Sequence, residues 1–195
     1  MKSIVLASGN SGKKAEIERL LAPFGTRVVT QVELGITEAE EPYGSFLENA
    51  LAKARHACIA TRLPALADDS GLCVDALGGA PGVQSARYAG EPRSDKRNNR
   101  KLLAELGDNA NRSARYVCVL VLMRGPGDTQ PLVAEAEWHG EIARAPRGGG
   151  GFGYDPLFYL KDLDMTAAEL APEAKNRISH RGQALAKLLE LLRKQ

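Results

Sequence analysis

The segment Ser8-Gly9-Asn10-Ser11-Gly12-Lys13 has the residue types of an anion cradle. Backbone N–H groups at a helix start attract anions, and Lys13 adds a full positive charge at the same place. It is not a Walker A loop, which would need Gly in place of Ala7 and Ser or Thr in place of Lys14; a solvated, N-capped turn is the alternative. Asp68-Asp69-Ser70-Gly71 follows an apolar run, and two adjacent carboxylates can hold a hard cation or take a proton from water. Adjacent side chains diverge along a strand, so one Asp of the pair is expected to face a site; an Asx-bonded turn is the other reading. Glu38, Glu40 and Glu41 form an acidic run that alone reads as a solvated face. It gains meaning only if a phosphate-bound Mg²⁺ needs carboxylates beyond the aspartate pair.

Two further segments carry polar chemistry. Gly148-x-Gly150-x-x-Gly153 matches GxGxxG in form, but Pro156 follows too soon for a helix, so the dinucleotide reading is rejected. A loop that delivers Phe152, Tyr154 and Asp155 together remains. The aromatics can stack on a base while the carboxylate accepts from a ring N–H, or the glycines are a hinge and the aromatics core. In Lys175-Asn176-Arg177-Ile178-Ser179-His180-Arg181-Gly182, His180 and Arg181 can donate to a keto oxygen with Lys175 near base or phosphate, or the run is a basic surface turn.

The elements around these segments follow from periodicity. Ile4 to Ala7 reads as a buried strand, and Ile17, Leu20, Leu21 and Phe24 make a helical stripe ended by Pro23 and Gly25. A strand is expected over residues 27–32, a long helix from Ser45 with Phe46, Ala50, Ala54, Ala57 and Cys58 on one face, and a strand from Leu63 to Ala67 that runs into the aspartates. Ser94 to Leu106 reads as a polar helix. Strands at residues 114–124 and 132–141 flank the hairpin signal Gly125-Pro126-Gly127-Asp128. Thr166 and Glu169 have capping-box spacing, and Leu185, Leu188, Leu189 and Leu192 give the last helix its apolar face. The pattern predicts an α/β fold: a mixed central sheet flanked by helices, with a smaller hairpin-containing lobe and an active-site cleft between them, in a single domain over residues 1–195.

Composition narrows the class. Lys and Arg number 26 against 24 Asp and Glu, a net charge of +2, which argues against a protein that wraps a long nucleic acid. The 44% hydrophobic and 26% charged content is that of an ordinary globular domain. Cys58, Cys73 and Cys118 include no CxxC pair and fit a reducing compartment. The apolar run after the amino terminus is too short for a signal h-region, and no stretch reaches membrane-spanning length, so a cytoplasmic location without membrane association is expected.

Taken together, the chain resembles the inosine triphosphate pyrophosphatase family of dITP/XTP pyrophosphatases. The resemblance rests on Ser8 to Lys13, Phe46 to Ala54, Ala67 to Leu72, Gly78 to Val83, Ser85 to Tyr88, Gly151 to Pro156 and Ile178 to Gly182, seven segments in family order. It implies hydrolysis of ITP, dITP or XTP between the α and β phosphates to a monophosphate and pyrophosphate, with Mg²⁺ as cofactor and a homodimer as the assembly. By the same resemblance Ser8, Gly9, Asn10, Ser11, Gly12, Lys13 and Lys53 hold phosphates, and Asp69 is the proton acceptor and a metal ligand with Glu41, then Glu40, Glu38 being the third candidate. Ser70 touches substrate, while Phe152, Gly153, Tyr154, Asp155, Lys175, His180 and Arg181 hold the purine. A keto oxygen and N1–H at the purine 6-position distinguish these bases from adenine, and unmatched buried donors would reject the latter.

Two other readings compete. A Maf-like pyrophosphatase acting on dTTP, UTP or modified pyrimidine triphosphates shares the architecture, but its opening loop continues with Pro and paired Arg. A nucleic-acid-binding module would use the basic helical face of Arg93, Lys96, Arg97, Arg100 and Lys101.

Overall fold

The computed structural model describes residues 3–194; the outermost residues of the domain expected over 1–195 lie outside that range. Seven strands form one open mixed sheet in the order β2-β1-β3-β4-β5-β6-β7. They are β1 (Ser3–Leu6), β2 (Arg27–Thr30), β3 (Ala65–Val74), β4 (Ser113–Met123), β5 (Leu132–Ile142), β6 (Phe158–Leu160) and β7 (Met165–Thr166). The helices are α1 (Ser11–Leu21), α2 (Phe46–Thr61), α3 (Asp95–Leu106), α4 (Pro172–Ile178) and α5 (His180–Arg193). β1 runs parallel to β2 and β3, whereas β6 is antiparallel to β5 and β7. The mixed sheet read from the sequence is therefore present.

The chain divides into two compact units. The first holds the residues up to Asp69, Cys118–Ala136 and those from Arg181 onward; the second holds Ser70–Val117 and Glu137–His180. The core of the first is Leu6, Ile17, Leu66, Leu120, Leu122, Leu185 and their neighbours. Truncating a buried leucine of this kind to alanine costs about 2–5 kcal/mol, because the cavity is only partly refilled. The core of the second gathers Leu72, Val74, Leu102, Leu106 and the aromatics Tyr116, Trp138 and Phe158.

Local signals explain most boundaries. Asn10 caps α1 by accepting from the Lys13 N–H at 3.0 Å, and Ser45 caps α2 by accepting from the Glu48 N–H. Gly25, with φ +63°, supplies the left-handed turn that ends the first helical segment. Ala50, Ala54, Ala57 and Cys58 are fully buried, so the small-residue face read from the sequence is the inner face of α2.

One expectation needs correction. β3 does not end at Ala67 but continues through Asp68 and Asp69 to Val74, because both carboxylates pair with residues distant in sequence, Lys13, Arg181 and Lys53, rather than with a local turn. The capping box read from the spacing of Thr166 and Glu169 is present and opens a 3₁₀ turn, Ala167–Glu169. Pro172 disfavours helical geometry at Ala171, so α4 begins afresh at Pro172.

Candidate active site

In the first unit, β3 presents Asp68 and Asp69 in succession, and a strand sends consecutive side chains to opposite faces. Asp68 is completely buried: its Oδ1 lies 2.6 Å from Lys13 Nζ and its Oδ2 2.6 Å from Arg181 Nε. Arg181 also pairs through Nη1 with Glu16, and the Cys118 thiol donates to Asp68 Oδ2 at 3.4 Å. Burial would raise the Asp68 carboxyl, but the charges of Arg181 and Lys13 outweigh it and hold the group well below the usual carboxylate range.

Asp69 has a different environment. Its Oδ1 accepts from Lys53 Nζ at 2.6 Å, while its Oδ2 is buried and finds no hydrogen-bond partner among the described residues. Burial pushes this carboxyl up, against the opposing pull of Lys53 and Lys13. Lys53 projects from the alanine-lined face of α2 and also reaches Glu41 Oε1 at 2.9 Å and the Asp68 carbonyl at 3.0 Å. Burial alone would lower its ammonium, but Asp69 and Glu41 raise it, so the lysine is held charged between two carboxylates.

The loop between β1 and α1 completes this cluster. Ser8 Oγ accepts from the Asn10 N–H, and Lys13 Nζ donates to the Asp68 carbonyl at 3.1 Å. The Gly9 N–H donates to Glu38 Oε1 at 2.8 Å, and a Cβ on Gly9 would stand only 2.7 Å from that oxygen. Glu38 thus braces the loop, Glu41 faces Lys53, and Glu40 is exposed on the same segment.

No group of three or more His, Cys, Asp or Glu converges as a metal cluster among the described residues. Mg²⁺ does not require one, since it usually takes one or two carboxylates, phosphate oxygens and waters. The unsatisfied buried Asp69 Oδ2 beside an all-oxygen carboxylate pair suits such a hard cation.

The second unit gathers the other predicted residues. Asp155, 2% exposed, accepts from the Phe152 N–H at 2.9 Å and from Lys175 Nζ at 2.6 Å through Oδ2, and from the Tyr116 hydroxyl through Oδ1. Lys175 Nζ also stands 5.1 Å from the centre of the half-buried Phe152 ring. His180 is buried and stacks on Tyr116, with centroids 4.6 Å apart and planes 8° apart. Tyr154 is core: its hydroxyl donates to the Ser85 carbonyl at 2.9 Å, and burial pushes its phenol up.

Arg181 and His180, neighbours in sequence, therefore fall in different units. Arg181 is 1% exposed and committed to Asp68 and Glu16, a placement that the reading of His180-Arg181 as a joint donor pair did not anticipate. The sequence reading also passed over Asp68 as a hub, Glu16 and Tyr116. For Asp68 a signal existed, since two aspartates in a continuing strand must serve opposite faces. The basic face of α3 is partly folded back: Arg97 donates to the carbonyls of Gly90 and Pro92, and Lys101 to that of Tyr88, while Arg93, Lys96 and Arg100 are exposed.

Fold and cluster together define an open-sheet α/β protein in which two lysines, two aspartates and a helix start converge on a site suited to a polyanion. The model described as the Ham1 family matches residues 4–191, and the chain belongs to that family. It is 64% identical over 192 residues to a dITP/XTP pyrophosphatase of Nitrosomonas europaea, covering 98% of this chain and 95% of the relative. A protein of the same description from Ralstonia nicotianae is 61% identical, with 99% and 98% covered. Among solved structures, a HAM1 protein from Coxiella burnetii superposes with a TM-score of 0.90 at 50% identity over the full length of both chains. The Staphylococcus aureus Ham1 protein gives 0.86 at 42% identity, with 99% of each chain covered.

Proposed function

We propose that this protein hydrolyses the non-standard purine triphosphates ITP, dITP and XTP to the nucleoside monophosphate and pyrophosphate. The observation that carries the reading is the cluster on β3: Lys13 and Lys53 beside a buried carboxylate with a free oxygen, Asp69 Oδ2. Close identity to dITP/XTP pyrophosphatases supports the choice of substrate.

Cleavage of a phosphoanhydride asks mainly for positioning and charge neutralisation. Ser8 to Lys13 and Lys53 bind the triphosphate through backbone N–H groups and two ammonium charges. Asp69 accepts the proton of the attacking water, which adds across the α–β anhydride as pyrophosphate leaves. Its raised affinity for a proton suits that task better than the strongly acidic Asp68 does. Asp69 and Glu41, with Glu40 beside them, would hold Mg²⁺, which would neutralise charge on the phosphates.

Phe152 offers a stacking face, and Gly153, Asp155, Lys175 and His180 complete the base set, with Tyr154 holding the loop from the core. Ser70 is assigned to substrate contact. Arg181 joins the base set only by exchanging its carboxylate partners for the purine. The protein is further proposed to act in the cytoplasm as a homodimer; no helix among the described residues is long and apolar enough to cross a membrane.

A nucleotide panel with Mg²⁺, read by product identity, tests this. ITP, dITP and XTP should give monophosphate and stoichiometric pyrophosphate. Orthophosphate as the sole phosphate product, equal rates on ATP and ITP, or a preference for dTTP or UTP would each overturn it.

A further inference from the structure

The helix α3 carries two side chains that grip one residue of the glycine loop. The Gly153 N–H donates to Asp95 Oδ2 at 2.7 Å, and the Gly153 carbonyl accepts from Asn99 Nδ2 at 2.9 Å. Asp95 and Asn99 are four residues apart and so share one face of the helix. The orientation of the Asn99 amide is fixed, since the flipped form would set its oxygen against the Gly153 carbonyl. Asn98, the next residue round, faces elsewhere: it is 2% exposed and binds the backbone of Ser85, Ala86 and Ala89.

Around Gly153 the loop is also held by the Gly150 N–H, which donates to the Ala168 carbonyl at 3.0 Å, and by the Asp155 N–H, which donates to the Phe152 carbonyl at 3.2 Å, but these leave the Gly153 N–H and carbonyl to α3. A cavity of about 520 Å³ adjoins it, lined by Asp95, Asn99, Arg100, Gly151, Phe152 and Pro156 among others. A Cβ placed on Gly149 or Gly153 would meet nothing within 4 Å. Yet Gly153 lies between Phe152 and Asp155, whose carboxylate in turn takes Lys175 and the Phe152 N–H. Rotation of either peptide group flanking Gly153 would carry the ring of Phe152 or the carboxylate of Asp155 with it.

We propose that Asp95 and Asn99 are positioning residues for base recognition, clamping Gly153 through the two peptide groups that flank it so that Phe152 and Asp155 stay in register. The inference rests on the base set assigned above. It gives the polar face of α3 a purpose inside the enzyme.

The test compares Asp95→Ala, Asn99→Ala, Asn99→Asp and Asp95→Asn with Asn98→Ala in the full chain. One of the two bonds is charge-assisted and the other part-buried, and losses of such bonds translate into roughly tenfold effects. In the two alanine variants KM for ITP should rise about tenfold with kcat within about twofold, and the Gly153 amide should lose hydrogen-exchange protection. Asn99→Asp should be the most damaging, by placing a carboxylate against the carbonyl, and Asp95→Asn should restore KM because an acceptor remains. Affinity for inorganic tripolyphosphate, which has no base, should not change, and Asn98→Ala should lower the melting temperature while leaving KM alone.

Unchanged KM and Gly153 exchange in both alanine variants would overturn the clamp, as would a loss of tripolyphosphate affinity in step with ITP. A wild-type protein that leaves ITP intact would instead overturn the function on which the clamp rests.

Discussion

The ammonium groups of Lys13 and Lys53 meet on one acceptor, the Asp68 carbonyl oxygen, at 3.1 and 3.0 Å. The two lysines come from α1 and α2, so a single strand residue registers two helices against each other. Like charges this close are tolerated because Asp68, Asp69 and Glu41 compensate them. Residues that share a partner do not act independently. Lys13→Met and Lys53→Met should therefore each weaken tripolyphosphate binding, and the double variant should depart from additivity by about 0.5–3 kcal/mol. Calorimetric titration of the four proteins measures the coupling, and strictly additive losses would show two unrelated sites.

Asp69→Asn removes a base and a charge with little change of shape. Turnover of ITP should fall by roughly 10²–10⁴, the usual worth of a positioned general base, while tripolyphosphate still binds. Steady-state kinetics beside a binding titration separates the two effects. Undiminished turnover would move the base role to another carboxylate, with Glu41→Gln as the next variant to measure.

Arg181→Ala strands two buried carboxylates, Asp68 and Glu16. Removing one member of a buried ionic group costs about 3–5 kcal/mol, so chemical denaturation should show a large loss of stability. The preference for ITP over ATP should narrow as well, if measured where the variant is folded. A full loss of stability with an unaltered preference would confine Arg181 to holding Asp68.

Three glycines of one loop should respond unequally to alanine. A Cβ at Gly151, where φ is +70°, would lie 2.0 Å from Asp155 Oδ2. Gly153, at φ +62°, has open space, so its substitution meets only the backbone penalty of about 1–2 kcal/mol. Gly149 has open space and no left-handed φ. KM for ITP should accordingly rise most for Gly151→Ala, less for Gly153→Ala and hardly at all for Gly149→Ala; any other order contradicts the placement of Asp155.

How far the sequence could be read depended on the range of the interactions. Ser45 announces α2, Ser94 announces α3 and Gly125 to Asp128 announce the β4–β5 turn, because caps and turns are settled by residues a few positions apart. β3 was cut short because Asp-Asp-Ser-Gly has the local chemistry of a turn, and Arg181, 113 positions from Asp68, is invisible to any window. α4 was missed although Pro172 marks its first turn, and β6 and β7 are too short to show alternation. In the candidate site, the charged groups of the lysine–aspartate cluster were legible at Lys13 and Asp69, whereas the burial of Tyr154 and Arg181 required the tertiary packing.

The thiol of Cys118 sits against the Asp68 carboxylate, and burial first, then that neighbouring charge, pushes its pKa well above the ordinary thiol range. A thiolate there would set two anions side by side, so the reactive form is suppressed for as long as the first unit stays closed. The cysteine is in effect a silent clock: a thiol reagent added to the native enzyme reads not its exposure but the frequency with which the polar heart of this unit opens.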